Sequence, residues 1–134
     1  MFKSIAHIGV AVQDMESATE LFQKLFGKAP DHTENIPDQK VSTVMFHIGE
    51  TAVELTAATD TESPIARFIE KRGEGVHHIS FVVDDIEAEL KRLQQLGFQL
   101  IDEQPRKGAD NYRVAFLHPK STNGVLIEIS QKAS

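Results

Sequence analysis

The chain contains no cysteine. Disulfides, thiolate nucleophiles and sulfur-ligated metal sites are excluded together, so any bound metal must rest on His, Asp, Glu or backbone oxygen, and a reducing compartment suits such a chain. Positive charge is also scarce: 14 Lys and Arg face 20 Asp and Glu, a formal net charge of −6. The bases are scattered among acids, leaving no broad positive face to neutralise a phosphate backbone, and no nucleic-acid partner is expected. No run approaches the ~18 consecutive apolar residues of a membrane span, and the opening MFKSIAHIGVAVQD lacks the apolar core of a signal peptide. The expectation is a cytoplasmic protein without membrane association. What is present is an ordinary globular balance, 40% hydrophobic and 25% charged, over 134 residues. That length suits one compact unit or two closely paired halves, since modules of about half the usual ~100-residue core are marginal alone.

The halves are visible as a repeat. HIGVAVQD (7–14) overlays HISFVVDD (78–85) with His, Ile, Val and the final Asp coinciding, at a shift of 78 − 7 = 71. The same shift sets Met15 on Ile86, Phe22 on Leu93 and Leu25 on Leu96. Each Asp is placed to cap a helix with apolar residues at Met15, Ala18, Phe22 and Leu25, or at Ile86, Leu90 and Leu93, ending at Gly27 or Gly97. Short β-rich runs follow: VSTVMFHI and TAVELT in the first half, FQLID, YRVAFLH and GVLIEIS in the second. Residues 1–60 and 75–134 therefore each read as a βαβββ module. Residues 61–74 form a connector helix with Ser63 as N-cap, Pro64 in its first turn and Gly73 at its end. The last strands align only at 128 − 54 = 74, and the three extra residues fall in the loop HPKSTNG, where insertions belong.

Strand parity then sorts the side chains, because residues i and i+2 share a face. Ile8, Val10 and Val12 cover the helix and leave His7, Gly9 and Ala11 on the other side; Ile79, Phe81 and Val83 likewise leave His78, Ser80 and Val82. His78, not its neighbour His77, is thus the counterpart of His7. Glu54 and Glu128 each project to the face that their apolar neighbours do not use, and an isolated buried carboxylate is costly unless paired or bound to metal. If the modules pack side by side, His7, Glu54, His78 and Glu128 point into one shared surface. Two imidazoles and two carboxylates suit a divalent ion such as Co²⁺, Ni²⁺, Mn²⁺, Fe²⁺ or Zn²⁺ and leave positions open for a ligand. A lone strand histidine is usually structural; the recurrence of both types at equivalent places in both copies favours a metal site. His32, His47, His77 and His118 have no such doubling and read as surface or supporting residues.

The doubled His and Glu, together with the segments IAHIGVAVQD, DTESPIARFIEKRGEG, GEGVHHISFVVDDI, DEQPRKGA and FLHPKSTNGVLIEIS, resemble the vicinal oxygen chelate (glyoxalase/bleomycin resistance/dioxygenase) superfamily, and within it the methylmalonyl-CoA epimerase family. The resemblance implies an α+β fold in which two tandem βαβββ modules form a curved sheet around a metal-binding cleft. It implies the same four ligands, His7, Glu54, His78 and Glu128, in an isomerase that interconverts (R)- and (S)-methylmalonyl-CoA; Glu128 is the candidate for one acid/base group and Glu54, its equivalent in the other module, for the opposite face, an arrangement that resembles the paired glutamates of glyoxalase I. The partner implied is an acyl-CoA, and the expected assembly a homodimer. Lys120 and Ser121 in the longer loop are candidates to meet the CoA phosphates or the substrate carboxylate, against the alternative of a solvated loop lysine, and Arg106 and Lys107 carry the same two readings. Two departures bear on the second base: some relatives carry Gln in place of Glu54, and actinobacterial epimerases carry a Glu where this chain has Thr43. A glyoxalase I-like lyase is the rival enzyme, disfavoured by the epimerase-like segments. A drug-sequestering member of the superfamily would need no metal ligands, and an extradiol dioxygenase would use one carboxylate rather than two.

Overall fold

Asp14 and Asp85 each end a strand and start a helix. Asp14 Oδ1 accepts from the Glu16 amide at 3.1 Å and Asp85 Oδ1 from the Ala88 amide at 3.1 Å, which satisfies donors that a first helical turn leaves unpaired. The computed structural model describes residues 1–133, so the last position of the second module lies outside the described residues. The element order is β1 (Phe2–Ala11), α1 (Met15–Phe26), β2 (His32–Ile36), β3 (Val41–Ile48), β4 (Thr51–Ala58), α2 (Pro64–Arg72), β5 (Gly75–Val83), α3 (Ile86–Gln95), β6 (Arg106–Lys107), β7 (Tyr112–Leu117) and β8 (Ile127–Lys132). The fold is α+β, with the order βαβββ twice and α2 between, as the repeat implies. Among the described residues no helix is long and apolar enough to cross a membrane.

The chain divides into two compact units, Ile8–His77 and, separately, Met1–His7 with the segment from His78 onward. In the first, β2, β3 and β4 are antiparallel neighbours, with Ile36 opposite Val41 and Ile48 opposite Thr51. The β3–β4 turn has two residues, and Gly49 at φ 64° takes the left-handed position that tight hairpins require. Val12, in register with β4 through a 2.9 Å bond to the Thr56 carbonyl, joins Val44, Phe46, Leu55 and Ala57 in the core, against Met15, Ala18, Phe22 and Phe26 of α1. Leu25, expected on that apolar face, is 68% exposed. The helix ends at Gly27 in the left-handed conformation, and the residues at 100° steps that meet the sheet are 15, 18, 22 and 26.

In the second unit the strand order is β1-β5-β8-β7-β6. β5 and β8 run parallel, with Ile79 opposite Ile127 and Ser80 opposite Glu128, and β7 returns antiparallel to β8. Val83, Ile86, Leu90, Leu93, Ala115, Leu117 and Ile129 form its core. FQLID, expected as a strand, is not one. Only Leu100 bridges to Leu117, and the Asp102 carboxylate takes the Phe116 amide at 2.9 Å, so a side chain occupies the place of a ladder carbonyl. The second strand of this half is instead the two-residue β6, with Arg106 opposite Val114.

Candidate metal centre

His7, His78 and Glu128 lie together within the second unit. His7 and His78 come from the neighbouring strands β1 and β5, and Glu128 stands on β8, opposite Ser80 and two residues along from the level of His78. All three are nearly sealed from solvent, at 8%, 5% and 5% exposure. The two Nε2 atoms are 2.9 Å apart, with the rings edge to face at 5.0 Å. His7 Nε2 is also 3.2 Å from Glu128 Oε1, and the far side of His78 rests against the Phe116 ring at 5.6 Å. The inward parity assigned from sequence to these three residues holds.

Three features of this trio suit a cation. Two imidazole nitrogens facing each other at hydrogen-bond distance can share only one proton between them. Glu128 Oε1, although close to His7, has no hydrogen bond of acceptable geometry and is fully buried. A buried carboxylate oxygen without a donor carries a desolvation cost that a protein keeps only when something else meets it. The separations of 2.9 and 3.2 Å are those of neighbouring donors around one ion with bonds of about 2.0–2.2 Å. Burial pushes the Glu128 carboxyl up, and His7, His78 and Ser80 more than offset it, holding the group well below the usual carboxylate range. It is therefore the anion, the form that ligates, at neutral pH. The residues fit a divalent metal of imidazole and carboxylate preference.

Behind the trio is a feature to which the sequence reading assigned no role. Ser80 and Ser130 are 0% and 1% exposed. Ser80 Oγ donates to Ser130 Oγ at 3.2 Å, and Ser130 Oγ donates to the Phe81 carbonyl at 3.3 Å. Their signal in the sequence is that each stands two residues beyond His78 or Glu128, on the same face.

Glu54 belongs to the other unit. It is buried on β4 opposite Met45, and Thr56 Oγ1 donates to its Oε1 at 3.4 Å. Thr43 is buried between Glu34 and Thr56 in the sheet, its hydroxyl donating to the Glu34 carbonyl at 3.2 Å. His77 sits edge-on to Phe68 of α2, with ring centroids 4.8 Å apart. The loop after β7 forms a single 3₁₀ turn at Pro119–Ser121, capped by His118, whose Nδ1 accepts from the Lys120 amide at 3.1 Å. Ser121 Oγ donates to the His118 carbonyl at 3.0 Å and accepts from the Gln99 amide at 3.1 Å. Its hydroxyl thus ties the loop to the segment after α3, while Lys120 is exposed. Arg106 Nε stands 3.6 Å from Asp102 Oδ1.

Residues 6–116 match the model of the Glyoxalase/Bleomycin resistance protein/Dioxygenase superfamily. The uncharacterised protein YqjC of Bacillus subtilis is 38% identical over 125 residues, 93% of this chain and 89% of its own length. The ethylmalonyl-CoA/methylmalonyl-CoA epimerase of Cereibacter sphaeroides is 35% identical over 133 residues, 98% of this chain and 99% of its own. Among solved structures, a Streptomyces coelicolor methylmalonyl-CoA epimerase in complex with 2-nitronate-propionyl-CoA superposes with a TM-score of 0.96 at 32% identity, covering 100% of this chain and 97% of that one.

Proposed function

Because this chain belongs to the Glyoxalase/Bleomycin resistance protein/Dioxygenase superfamily and its characterised relatives make it an epimerase, we propose that it interconverts (R)- and (S)-methylmalonyl-CoA by moving the proton on the α-carbon. The observation that carries this reading is the convergence of two buried imidazoles on a buried carboxylate that they hold ionised. His7, His78 and Glu128 hold a divalent ion, Co²⁺ foremost, and Glu54, the equivalent of Glu128 in the first module, completes the set. When bound, the ion supplies a Lewis acid that eases the negative charge developing on the thioester oxygen as the proton leaves.

The chain's own residues supply the proton transfers. Inversion requires removal on one face of the α-carbon and return on the other, hence two acid/base groups. Glu128 takes the proton on one side and Glu54 serves the other, because Thr43, at the place where some relatives carry a Glu, has a hydroxyl engaged with the sheet backbone and no useful basicity. The imidazoles that hold Glu128 ionised also make it a weak base, so the acidity of the α-carbon must be raised by the site rather than matched by the carboxylate. Lys120, presented by the 3₁₀ turn that Ser121 fixes, meets the anionic groups of the acyl-CoA, with Arg106 and Lys107 adding positive charge on the β6 edge. The protein acts as a cytoplasmic homodimer of two-module subunits, residues 1–60 and 75–134 joined through 61–74. Proton NMR of the purified protein with (R)-methylmalonyl-CoA in D₂O, with and without Co²⁺, tests the proposal: exchange of the α-proton is expected with metal, and its absence in metal-loaded protein would refute it. Ethylmalonyl-CoA in the same assay reads the acyl range.

A further inference from the structure

Asp102, which interrupts the expected strand FQLID, has a second partner besides the Phe116 amide: its Oδ1 stands 3.6 Å from Arg106 Nε, while Oδ2 takes the amide. Residues opposite one another in an antiparallel ladder share a face, as do residues i and i+2 of a strand. Phe116 is opposite Glu128, and Val114 is opposite both Ser130 and Arg106, so Arg106 rises from the same face of the sheet as Glu128. Lys107, opposite Arg113, takes the other face, where Arg113 binds Glu87 of α3. The two adjacent cations of β6 are thereby separated, and only Arg106 is on the side of the trio. Asp102, Phe116 and Glu128 lie at one level across the sheet, so the aspartate draws the guanidinium along the edge toward the level of Glu128. With strands about 4.8 Å apart, the anchor is roughly 10 Å from the Glu128 backbone, leaving space between the two side chains for the substituents of one carbon. Contact through Nε leaves the two Nη groups to a second partner, and that fork matches a carboxylate in two parallel hydrogen bonds.

We propose that Arg106, oriented by Asp102, binds the free carboxylate of the acyl group and so selects malonyl-type thioesters. The proposal rests on the epimerase reading given above. The substrate's carboxylate is attached to the carbon that loses its proton, so its negative charge opposes the charge developing there. A guanidinium on the carboxylate offsets that repulsion and fixes the rotation of the acyl group. Asp102 is a positioning residue, since it touches Arg106 and the backbone and not the substrate. The CoA phosphates are the other anionic oxygens that such a fork could take, and they lie at the far end of the pantetheine arm.

The test is α-proton exchange in D₂O by the metal-loaded protein, with methylmalonyl-CoA and with methylmalonyl-pantetheine, which keeps the carboxylate and has no phosphate. Arg106→Gln is expected to lower kcat/KM about 10–100-fold on both substrates alike, the worth of hydrogen bonds to a charged group. Asp102→Asn keeps an acceptor for the Phe116 amide and removes the charge beside Arg106. It is expected to lower kcat/KM about 3–10-fold in the parent chain and to have no effect in the Arg106→Gln chain; an equal loss in both backgrounds overturns its positioning role. Parent-like exchange by folded Arg106→Gln overturns the proposal. So does a loss seen with the CoA thioester and absent with the pantetheine thioester, which would assign the fork to phosphate. Should Arg106→Gln fail to fold, Arg106→Lys, which keeps a charge without the fork, carries the same comparison of the two substrates. A parent chain that exchanges the α-proton of neither substrate overturns the epimerase reading as well.

Discussion

Gly108 follows the two cationic residues of β6, and its replacement by alanine gives a measurable test of how tightly that edge is built. Its backbone is extended, at φ −112° and ψ −166°, so alanine meets no conformational strain there. By itself the change should stabilise by about 0.4–1 kcal/mol through the unfolded chain. A Cβ at this position, however, would lie 2.7 Å from Cγ1 and 3.1 Å from Cγ2 of Val114. Val114 is 2% exposed and has no room to turn away. Overpacking of this kind costs roughly 1–3 kcal/mol, so the steric effect wins and Gly108→Ala is expected to lose about 1.5 kcal/mol net. At roughly 2 cal/mol/K per residue of unfolding entropy, that lowers Tm by about 5 °C. Val114→Ala alone also destabilises, by roughly 1–3 kcal/mol, because it empties part of the core. In combination the two should cost less than their sum by roughly 1–3 kcal/mol, since the methyls that clash are the ones removed. Urea unfolding of the four proteins measures the coupling. Strict additivity, or a Gly108→Ala protein as stable as its parent, would show that Val114 does not confine this turn.

Glu128→Gln and Glu54→Gln should each retain the fold and lose α-proton exchange in D₂O by two or more orders of magnitude, as expected when a general acid or base is removed; normal epimerisation by Glu54→Gln removes it from the catalytic pair. Lys120→Ala should raise KM for the acyl-CoA and leave kcat nearly unchanged, a split that steady-state kinetics reads directly. Glu89, 7% exposed and bound by Arg92 and the N-terminal ammonium at 2.9 Å each, is lowered chiefly by Arg92 against the opposing effect of burial. A carboxyl depressed in the folded state contributes stability in full above the unfolded value of 4.5 and loses it as pH falls through the folded one. Urea midpoints between pH 7 and pH 3 should therefore fall more steeply for the parent chain than for Glu89→Gln; parallel curves would remove Glu89 from the acid response.

The inward set of β1, β5 and β8 was legible because strands alternate strictly and the repeat supplied two readings of the same pattern. His7, His78 and Glu128 needed nothing more than parity to be placed on the right face, and the helix caps Asp14, Ser63 and Asp85 were legible from the side-chain chemistry of the first turn. FQLID failed for the reason that local propensity often fails: its aspartate bonds to the strand that the segment was expected to pair with, and the ladder stops after one bridge. Leu25 failed because a window of apolar residues does not say how wide a face the sheet covers. Ser80 and Ser130 carried only a positional signal, two residues beyond His78 and Glu128, since a buried serine's role is recognisable only once its acceptors are known. Ser121 was noticed for its loop, yet its hydroxyl turns out to be committed to the backbone at both ends.

The pairing of β5 with β8 is parallel and joins residues 79–82 to 127–130, so it cannot be closed by a hairpin. His7 meets His78 across an even longer stretch of chain. Contacts this distant in sequence form late, after their loop-closure entropy has been offset by local structure. On the ribosome, the amino-terminal half can acquire its helix and hairpin long before the carboxylate at position 128 has been synthesised. On the proposed reading of Glu128 as a ligand, metal loading would thus follow chain completion instead of templating it, and a truncated product ending before the last strand would capture no ion.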